Sequence, residues 1–187
     1  EDEAIRQLNT VVTRNPEHAL AQYLLAQALA RKELFAQSIE AARKAIALTP
    51  NNAEAYFWLG ESLRMTSKYS EAVRAYSDYL RLSDFDSKLA GKMNYYVLGF
   101  LVGAGRKKRA AQRDVWKELR GLAYFGICDS ERKLGNFDAA IENCRTSLSL
   151  DSSDPYAHYA LGLSYLAKGK NDGAVEMLPA ARTQFRK

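Results

Sequence analysis

Apolar residues recur at helical spacing along most of the 187-residue chain, and this pattern itself recurs with a fixed period. Its clearest copy is the segment 53–82. Shifting that segment by 34 residues toward the N-terminus, or by 68 or 102 residues toward the C-terminus, places Leu25, Ile127 and Leu161 in the phase of Leu59. A repeat of this length is typical of arrays in which each unit buries its apolar face against its neighbours.

Each unit is predicted to contain two helices joined by a short turn. The first helix of the clearest copy has one apolar face, made of residues three or four positions apart: Tyr56, Leu59, Gly60 and Leu63. Ala72 and Tyr76 begin the inward face of the second helix, and the turn is predicted around Ser67–Lys68. Pro50 closes the preceding unit, because proline cannot continue a helix. The small residues Gly60 and Ala72 would let the two backbones approach closely.

Other copies fill the same positions. They contain Tyr124, Ile127, Cys128, Ala140 and Cys144 in one unit and His158, Leu161, Gly162, Tyr165, Ala174 and Leu178 in the next. The pattern resembles the tetratricopeptide repeat, whose signature is an aromatic residue, Leu-Gly and Tyr, then Ala and Phe, then Pro. The resemblance implies an all-α fold, a right-handed α-solenoid of antiparallel helix pairs with one irregular middle repeat.

The repeat period divides the chain into successive units of a single array. The expected units are 1–18 (a second helix only), 19–52, 53–86, 87–120 (a degenerate repeat), 121–154 and 155–187. Because the first unit lacks its first helix, we expect a fragment of a longer protein.

Residues 83–120 do not fit the period. A five-residue shift would place Tyr95 and Gly99 in the repeat positions and leave a linker from Ser83 to Gly91. Farther on, no proline separates this unit from the next, so two interpretations remain open. A tight turn near Arg120–Gly121 is favoured over one continuous helix across 107–134. The continuous helix would expose apolar faces and favour a domain-swapped homodimer.

The formal net charge of +5 is concentrated in one basic patch. It comprises Arg106, Lys107, Lys108, Arg109 and Arg113. Most such runs are solvated helix faces, and the alternative is an anion site for acidic protein, nucleic acid or lipid headgroups. Aromatic residues are not interleaved with these charges, which disfavours nucleic acid. The longest apolar run, residues 95–105, is too short to span a bilayer.

Nothing in the sequence predicts catalysis, a cofactor or a metal site. The two histidines, His18 and His158, are far apart and are interpreted as structural or solvated. No metal or phosphate-binding motif is present. Cys128 and Cys144 are interpreted as reduced, buried packing residues, with a disulfide as the alternative. The compartment stays open between the cytoplasm and, with an upstream signal, the bacterial periplasm.

In tetratricopeptide arrays the first helices line a concave groove that receives a peptide or a helix. By this resemblance the candidate groove residues are Tyr23, Gln27, Glu54, Phe57, Trp58, Glu61, Tyr96, Phe100, Phe125, Asp129 and Tyr159. Its aromatic stripe would receive apolar side chains or an amphipathic helix, and its acidic residues would favour some basic character in the partner. The cationic pair that clamps a peptide carboxylate in some family members is missing from the matching positions.

The sequence therefore predicts a non-enzymatic scaffold or adaptor for a protein partner. Two alternatives remain: a structural or oligomerisation module, and a regulatory domain of a larger protein.

Overall fold

The chain folds into a row of paired helices. The computed structural model describes residues 2–93, 106–169 and 179, with side chains described for 2–83, 117–169 and 179. Within these residues the helices are α1 (Asp2–Arg14), α2 (Ala19–Arg31), α3 (Phe35–Leu48), α4 (Ala53–Met65), α5 (Tyr69–Met93), α6 (Arg106–Leu134), α7 (Phe137–Leu150) and α8 (Pro155–Ala167). The predicted all-α solenoid of helix pairs is confirmed.

The turns inside the helix pairs follow the 34-residue period. Each contains one residue with a positive φ angle: Glu33, Ser67, Gly135 and Gly169. After three of them the next backbone N–H donates to a carbonyl five residues back, as in Lys68 N to Leu63 O at 2.9 Å. This left-handed cap satisfies the last carbonyls of the first helix and reverses the chain. The predicted turn at Ser67–Lys68 is confirmed.

Polar side chains begin the first helices of the pairs. Asn52 Oδ1 accepts the N–H of Ala55, and Asp154 Oδ1 accepts the N–H of Tyr156 at 2.8 Å. Pro155 occupies the first turn of α8, where a missing N–H costs nothing. Side-chain caps of this kind typically stabilise a helix by about 1 kcal/mol.

The helices form an inner and an outer row. We call α2, α4, the 117–134 part of α6, and α8 the inner helices, and α1, α3, α5 and α7 the outer helices. Successive inner helices contact one another. Within the described residues, the outer helices pack mainly against inner helices instead of against each other. Because the inner row is the more closely spaced, it lies on the concave side of the solenoid.

Two predictions about the middle of the chain are wrong. The linker expected from Ser83 to Gly91 is helical, because α5 continues to Met93. The favoured turn near Arg120–Gly121 is also helical, because α6 runs without a break to Leu134. A glycine inside a helix costs about 1 kcal/mol, which tertiary packing offsets here. Gly121 is buried against α7, and its carbonyl accepts a hydrogen bond from Ser147 Oγ at 2.9 Å.

The long helices bring two separated units into direct contact. Arg120 Nη1, on α6, donates to Leu80 O at 3.3 Å and to Ser83 Oγ at 3.1 Å, both on α5. Ala123 and Ile127 belong to the same apolar core as residues of α4 and α5. The unit before the irregular region therefore contacts the unit after it. The division of the chain at 87–120 stays a prediction.

A buried tyrosine fixes this contact. The Tyr76 side chain, on α5, has no exposed surface and lies between Gly60 of α4 and Gly126 of α6. A Cβ atom added at Gly60 would lie 2.9 Å from Tyr76 Cδ1, and one added at Gly126 would lie 2.4 Å from Tyr76 Cζ. Both positions need glycine because the ring takes the space that a Cβ would fill.

Candidate protein-binding groove

The inner helices carry most of the exposed apolar surface. Of the eleven exposed large hydrophobic side chains among the described residues, eight lie on inner helices: Leu20, Leu24, Met65, Leu122, Leu134, Tyr156, Tyr159 and Leu166. Only two lie on outer helices, and one lies in a turn. An apolar surface concentrated on one side of a molecule is typical of an interaction site.

At the α2 end of the groove, an aromatic residue is covered by a cation. The Arg31 guanidinium lies 5.7 Å from the centroid of the Trp58 ring. Tyr23 lies beside Trp58, and burial, with a contribution from the Glu54 carboxylate, raises the pKa of Tyr23. This end therefore combines partly buried aromatic rings with one exposed cation.

At the centre of the groove, charged residues of α4 and α6 form a chain of ion pairs. Arg64 Nη2 donates to Glu61 Oε1 at 2.5 Å and Arg64 Nη1 to Asp129 Oδ2 at 3.2 Å. Arg132 Nη2 donates to Asp129 Oδ1 at 2.6 Å. Burial alone would lower the pKa of Arg64, but the Glu61 carboxylate raises it above the usual value. The cluster holds two cations and two anions, so its charge is balanced.

This balance weakens the reason for one expectation about the partner, which stays a prediction. Glu61 and Asp129 were expected to favour a basic partner, but each already pairs with an arginine of the same chain. Glu61 also accepts a hydrogen bond from the buried Tyr76 hydroxyl. Of the three acidic groove residues, Glu54 alone has no ion pair within the described part of the chain.

Toward the other end, α6 and α8 bring aromatic rings together. The Phe125 and Tyr156 centroids are 6.4 Å apart, and the Arg64 guanidinium lies 5.7 Å from the Phe125 centroid. Tyr159, one turn along α8 from Tyr156, is 49% exposed. Side-chain contacts therefore run without a gap along the groove, from α4 through α6 to α8.

Models of two repeat families match this chain. The model described as "Tetratricopeptide repeat" matches residues 2–53 and 32–87, and the one described as "TPR repeat" matches residues 129–169. The chain is a tetratricopeptide-repeat protein. Its repeats make it a protein-interaction scaffold in general terms. The residues between the two matched regions, 88–128, include the irregular part of the array.

Solved structures share the fold of this tetratricopeptide array. "Crystal structure of MamA" aligns with a TM-score of 0.71 at 22% identity, covering 99% of this chain and 88% of that one. "MamA 41-end from Desulfovibrio magneticus RS-1" gives 0.66 at 19% identity, covering 99% and 85%. These identities establish the fold alone, including the right-handed solenoid. No curated protein sequence matches the chain.

The predicted groove residues of this tetratricopeptide protein fall into three groups. Phe57 is only 5% exposed and packs in the core against Tyr76 and Tyr79, so its assignment to the groove surface is wrong. Its position in α4 turns the ring inward, between the two rows of helices. The others with described side chains are at least partly exposed: Tyr23, Gln27, Glu54, Trp58, Glu61, Phe125, Asp129 and Tyr159. Tyr96 and Phe100 lie outside the described residues.

The basic patch is described only in its backbone. Arg106, Lys107, Lys108, Arg109 and Arg113 belong to the N-terminal part of α6, and their side chains lie outside the described part. Whether they form an anion site stays a prediction.

For the two cysteines of this repeat protein, the favoured interpretation is wrong and the alternative is present. Cys128 and Cys144 were interpreted as reduced, but they form a disulfide between α6 and α7. The signal was available: the two cysteines are 16 residues apart, as are the contacting Gly60 and Tyr76, in the same phase of the repeat. Two cysteines at positions that touch in the α4–α5 unit are close enough to bond. Arg64 was missed for a different reason, since only the fold brings it to Asp129, 65 residues farther along the chain.

Both histidines have local structural contacts. His18 Nδ1 accepts the N–H of Ala21 at the start of α2, and His158 Nε2 lies 2.9 Å from Ser152 O. Among the described residues, no three His, Cys, Asp or Glu side chains are arranged to hold a metal ion. No described helix combines the length and the apolar character needed to cross a bilayer.

Proposed function

We propose that the protein is a non-enzymatic adaptor that binds a peptide or helix of a protein partner along its inner helices. The observation that carries the proposal is the concentration of exposed apolar side chains on this row. Outer helices contribute only Val11 and Leu48 to the exposed large hydrophobic residues of the described chain. A groove with such a bias favours a ligand that brings its own apolar side chains.

The charges of the groove support an amphipathic ligand over a strongly basic one. The central acids are neutralised by arginines of the same chain, so a ligand gains little by supplying further cations there. Pulling one charged side chain out of a partly buried ion cluster would leave its partners without a counter-charge. The four side chains are therefore expected to stay paired with one another when a ligand binds. Affinity would then come from aromatic and aliphatic contacts around the cluster, with Trp58, Phe125 and Tyr159 as anchors.

A matched pair of variants tests the location of binding. Leu24→Ala changes an inner helix and Leu48→Ala an outer helix, and the two leucines are 36% and 39% exposed. Phage-displayed 20-residue peptides are selected on the immobilised protein, and the strongest binder is labelled with fluorescein. We expect its Kd, measured by fluorescence anisotropy, to rise about tenfold with Tyr159→Ala and severalfold with Leu24→Ala, as for hot-spot truncations.

The control variant Leu48→Ala should leave the Kd unchanged, and all three variants should keep the melting temperature within about two degrees, since surface truncations change stability little. Equal loss of binding for Leu24→Ala and Leu48→Ala would contradict the proposal. A selection that gives only peptides insensitive to Tyr159→Ala would contradict it too.

The alternative of an oligomerisation module places the assembly element in the irregular residues 83–120. A continuous helix from 107 to 134 would have favoured assembly by exposing its apolar faces. That helix is present, but both α5 and α7 of the same chain pack against it, and its apolar residues Ala123 and Ile127 are buried within the chain. The apolar residues that would have favoured a domain-swapped homodimer are therefore covered at these positions, and the homodimer stays an untested alternative.

A further inference from the structure

The disulfide lies where no solvent reaches it. The side chains of Cys128 and Cys144 have no exposed surface, and their Cα atoms are 5.2 Å apart. They belong to an apolar cluster with Ile141, Leu161 and Tyr165, so the bond joins α6 and α7 under the cover of α8. Both cysteines of the sequence are used in this bond. A reductant cannot reach either sulfur while this part of the array stays folded.

The equivalent positions of the other units do without a covalent bond. In the α2–α3 unit they are Ala26 and Ala42, both fully buried, and in the α4–α5 unit they are Gly60 and Tyr76. The separation is 16 residues in each case. Two alanines therefore fill this space in one unit, and a glycine with a tyrosine fills it in the other. Cysteine at both positions adds a crosslink that packing alone does not require.

We infer that this chain matures in an oxidising compartment and works with the Cys128–Cys144 bond closed. The bond forms by exchange with the disulfide of an oxidoreductase or a small-molecule disulfide. One cysteine thiolate attacks that disulfide, forms a mixed disulfide and releases one thiol of the oxidant. The second cysteine then attacks the mixed disulfide, closes the Cys128–Cys144 bond and releases the other thiol. The two cysteines give up two electrons and two protons, and the oxidant leaves as two thiols. Stable disulfides persist in oxidising compartments and are rare in the cytosol.

The crosslink holds together the half of the solenoid that contains α6, α7 and α8. Phe125 and Asp129, on either side of Cys128 in α6, face the groove and contact Tyr156 and Arg64. The position of these groove residues therefore depends on how firmly α6 is fixed to α7. The inference rests on the buried crosslink and does not depend on the proposed partner.

Thiol trapping tests the oxidation state in the cell. Cells that naturally produce the full-length protein are quenched in acid, and the protein is denatured, alkylated with N-ethylmaleimide and weighed by mass spectrometry. The expected result is no maleimide adduct on this chain, and two adducts after reduction. Two adducts without prior reduction would overturn the inference.

Hydrogen exchange then tests the structural role of the bond. Cys128→Ala/Cys144→Ala reproduces the alanine pair of the α2–α3 unit, so it is expected to fold. Amides of α7 and α8 should exchange at least tenfold faster in this variant than in the oxidised protein, whereas amides of α2 and α3 should not change. If the α7 and α8 amides exchanged equally fast in the variant and in the oxidised protein, the claim that the bond holds these helices together would be overturned. If the variant does not fold, the oxidised protein is compared instead with protein that has been reduced in denaturant and refolded. Faster exchange of the α7 and α8 amides in the reduced protein supports the claim, and equal exchange overturns it.

Discussion

At the level of single residues, glycine decides whether two separated units can touch. Gly126 faces the ring of Tyr76 so closely that an added Cβ would lie 2.4 Å from it. Gly121, five residues earlier in the same helix, has room, since its added Cβ would meet only Leu150 Cβ, at 3.7 Å. The two glycines therefore form a natural pair for comparing packing with helix propensity.

We expect Gly126→Ala to lower the free energy of unfolding by about 1–3 kcal/mol, because overpacking outweighs the better helix propensity of alanine. Gly121→Ala should instead raise it by up to about 1 kcal/mol, because its methyl group makes an ordinary contact. Urea denaturation followed by circular dichroism gives both values. A stabilising Gly126→Ala would show that the Tyr76 ring is not confined as described.

Buried tyrosines predict a loss of stability at alkaline pH. Burial, with a contribution from Glu54, raises the pKa of Tyr79 to about 12, and burial also raises the pKa of Tyr76. Above pH 10 the unfolded chain releases phenolic protons that the folded chain retains, so stability is present below about pH 10 and is lost as the pH rises toward 12.

Urea titrations between pH 8 and pH 11 measure this loss. The decline should be less steep for Tyr79→Phe than for the wild type, because one of the linked groups has been removed. Tyr159→Phe, which changes an exposed ring, is the control and should keep the wild-type slope. Identical slopes for all three proteins would mean that Tyr79 does not contribute to the alkaline loss.

At the level of elements, the continuity of α6 distinguishes this array from a regular series of helix pairs. Gly121 is the only residue at which the sequence offered a break, and α6 passes through it. Proline at this position would remove a helical hydrogen bond and clash with the preceding turn. A tight turn with residue 121 at its second position would instead accept proline, because proline fixes φ near the value that this position needs.

Gly121→Pro should therefore lower the free energy of unfolding by about 3 kcal/mol or more. The measurement is again urea denaturation. The control is Ala19→Pro, because Ala19 is the first residue of α2 and Pro155 already occupies the matching position of α8. A Gly121→Pro protein as stable as the wild type would favour the turn and contradict the continuous helix.

The elements also show how far the sequence could be interpreted alone. The period located the turns, because each turn needs one residue of positive φ, and these residues recur with the same phase. The extent of α5 and α6 could not be predicted, because it depends on tertiary contacts such as that between Arg120 and the α5 carbonyl of Leu80. The orientation of Phe57 was wrong because inward and groove-facing positions are neighbours on one helix face.

At the level of the whole molecule, the solenoid separates structural from exposed apolar surface. The aromatic core around Tyr76 joins the α4–α5 unit to α6, and the disulfide joins α6 to α7. The exposed apolar side chains that remain are concentrated on the inner row. We propose that a protein partner binds along this row.

Hydrogen–deuterium exchange of the protein with and without the selected peptide locates the bound partner. We expect slower exchange on binding at amides of α2, α4, α8 and the 117–134 part of α6, with little change in α3 and α7. Protection confined to α3 and α7, with the inner helices unchanged, would contradict the proposal.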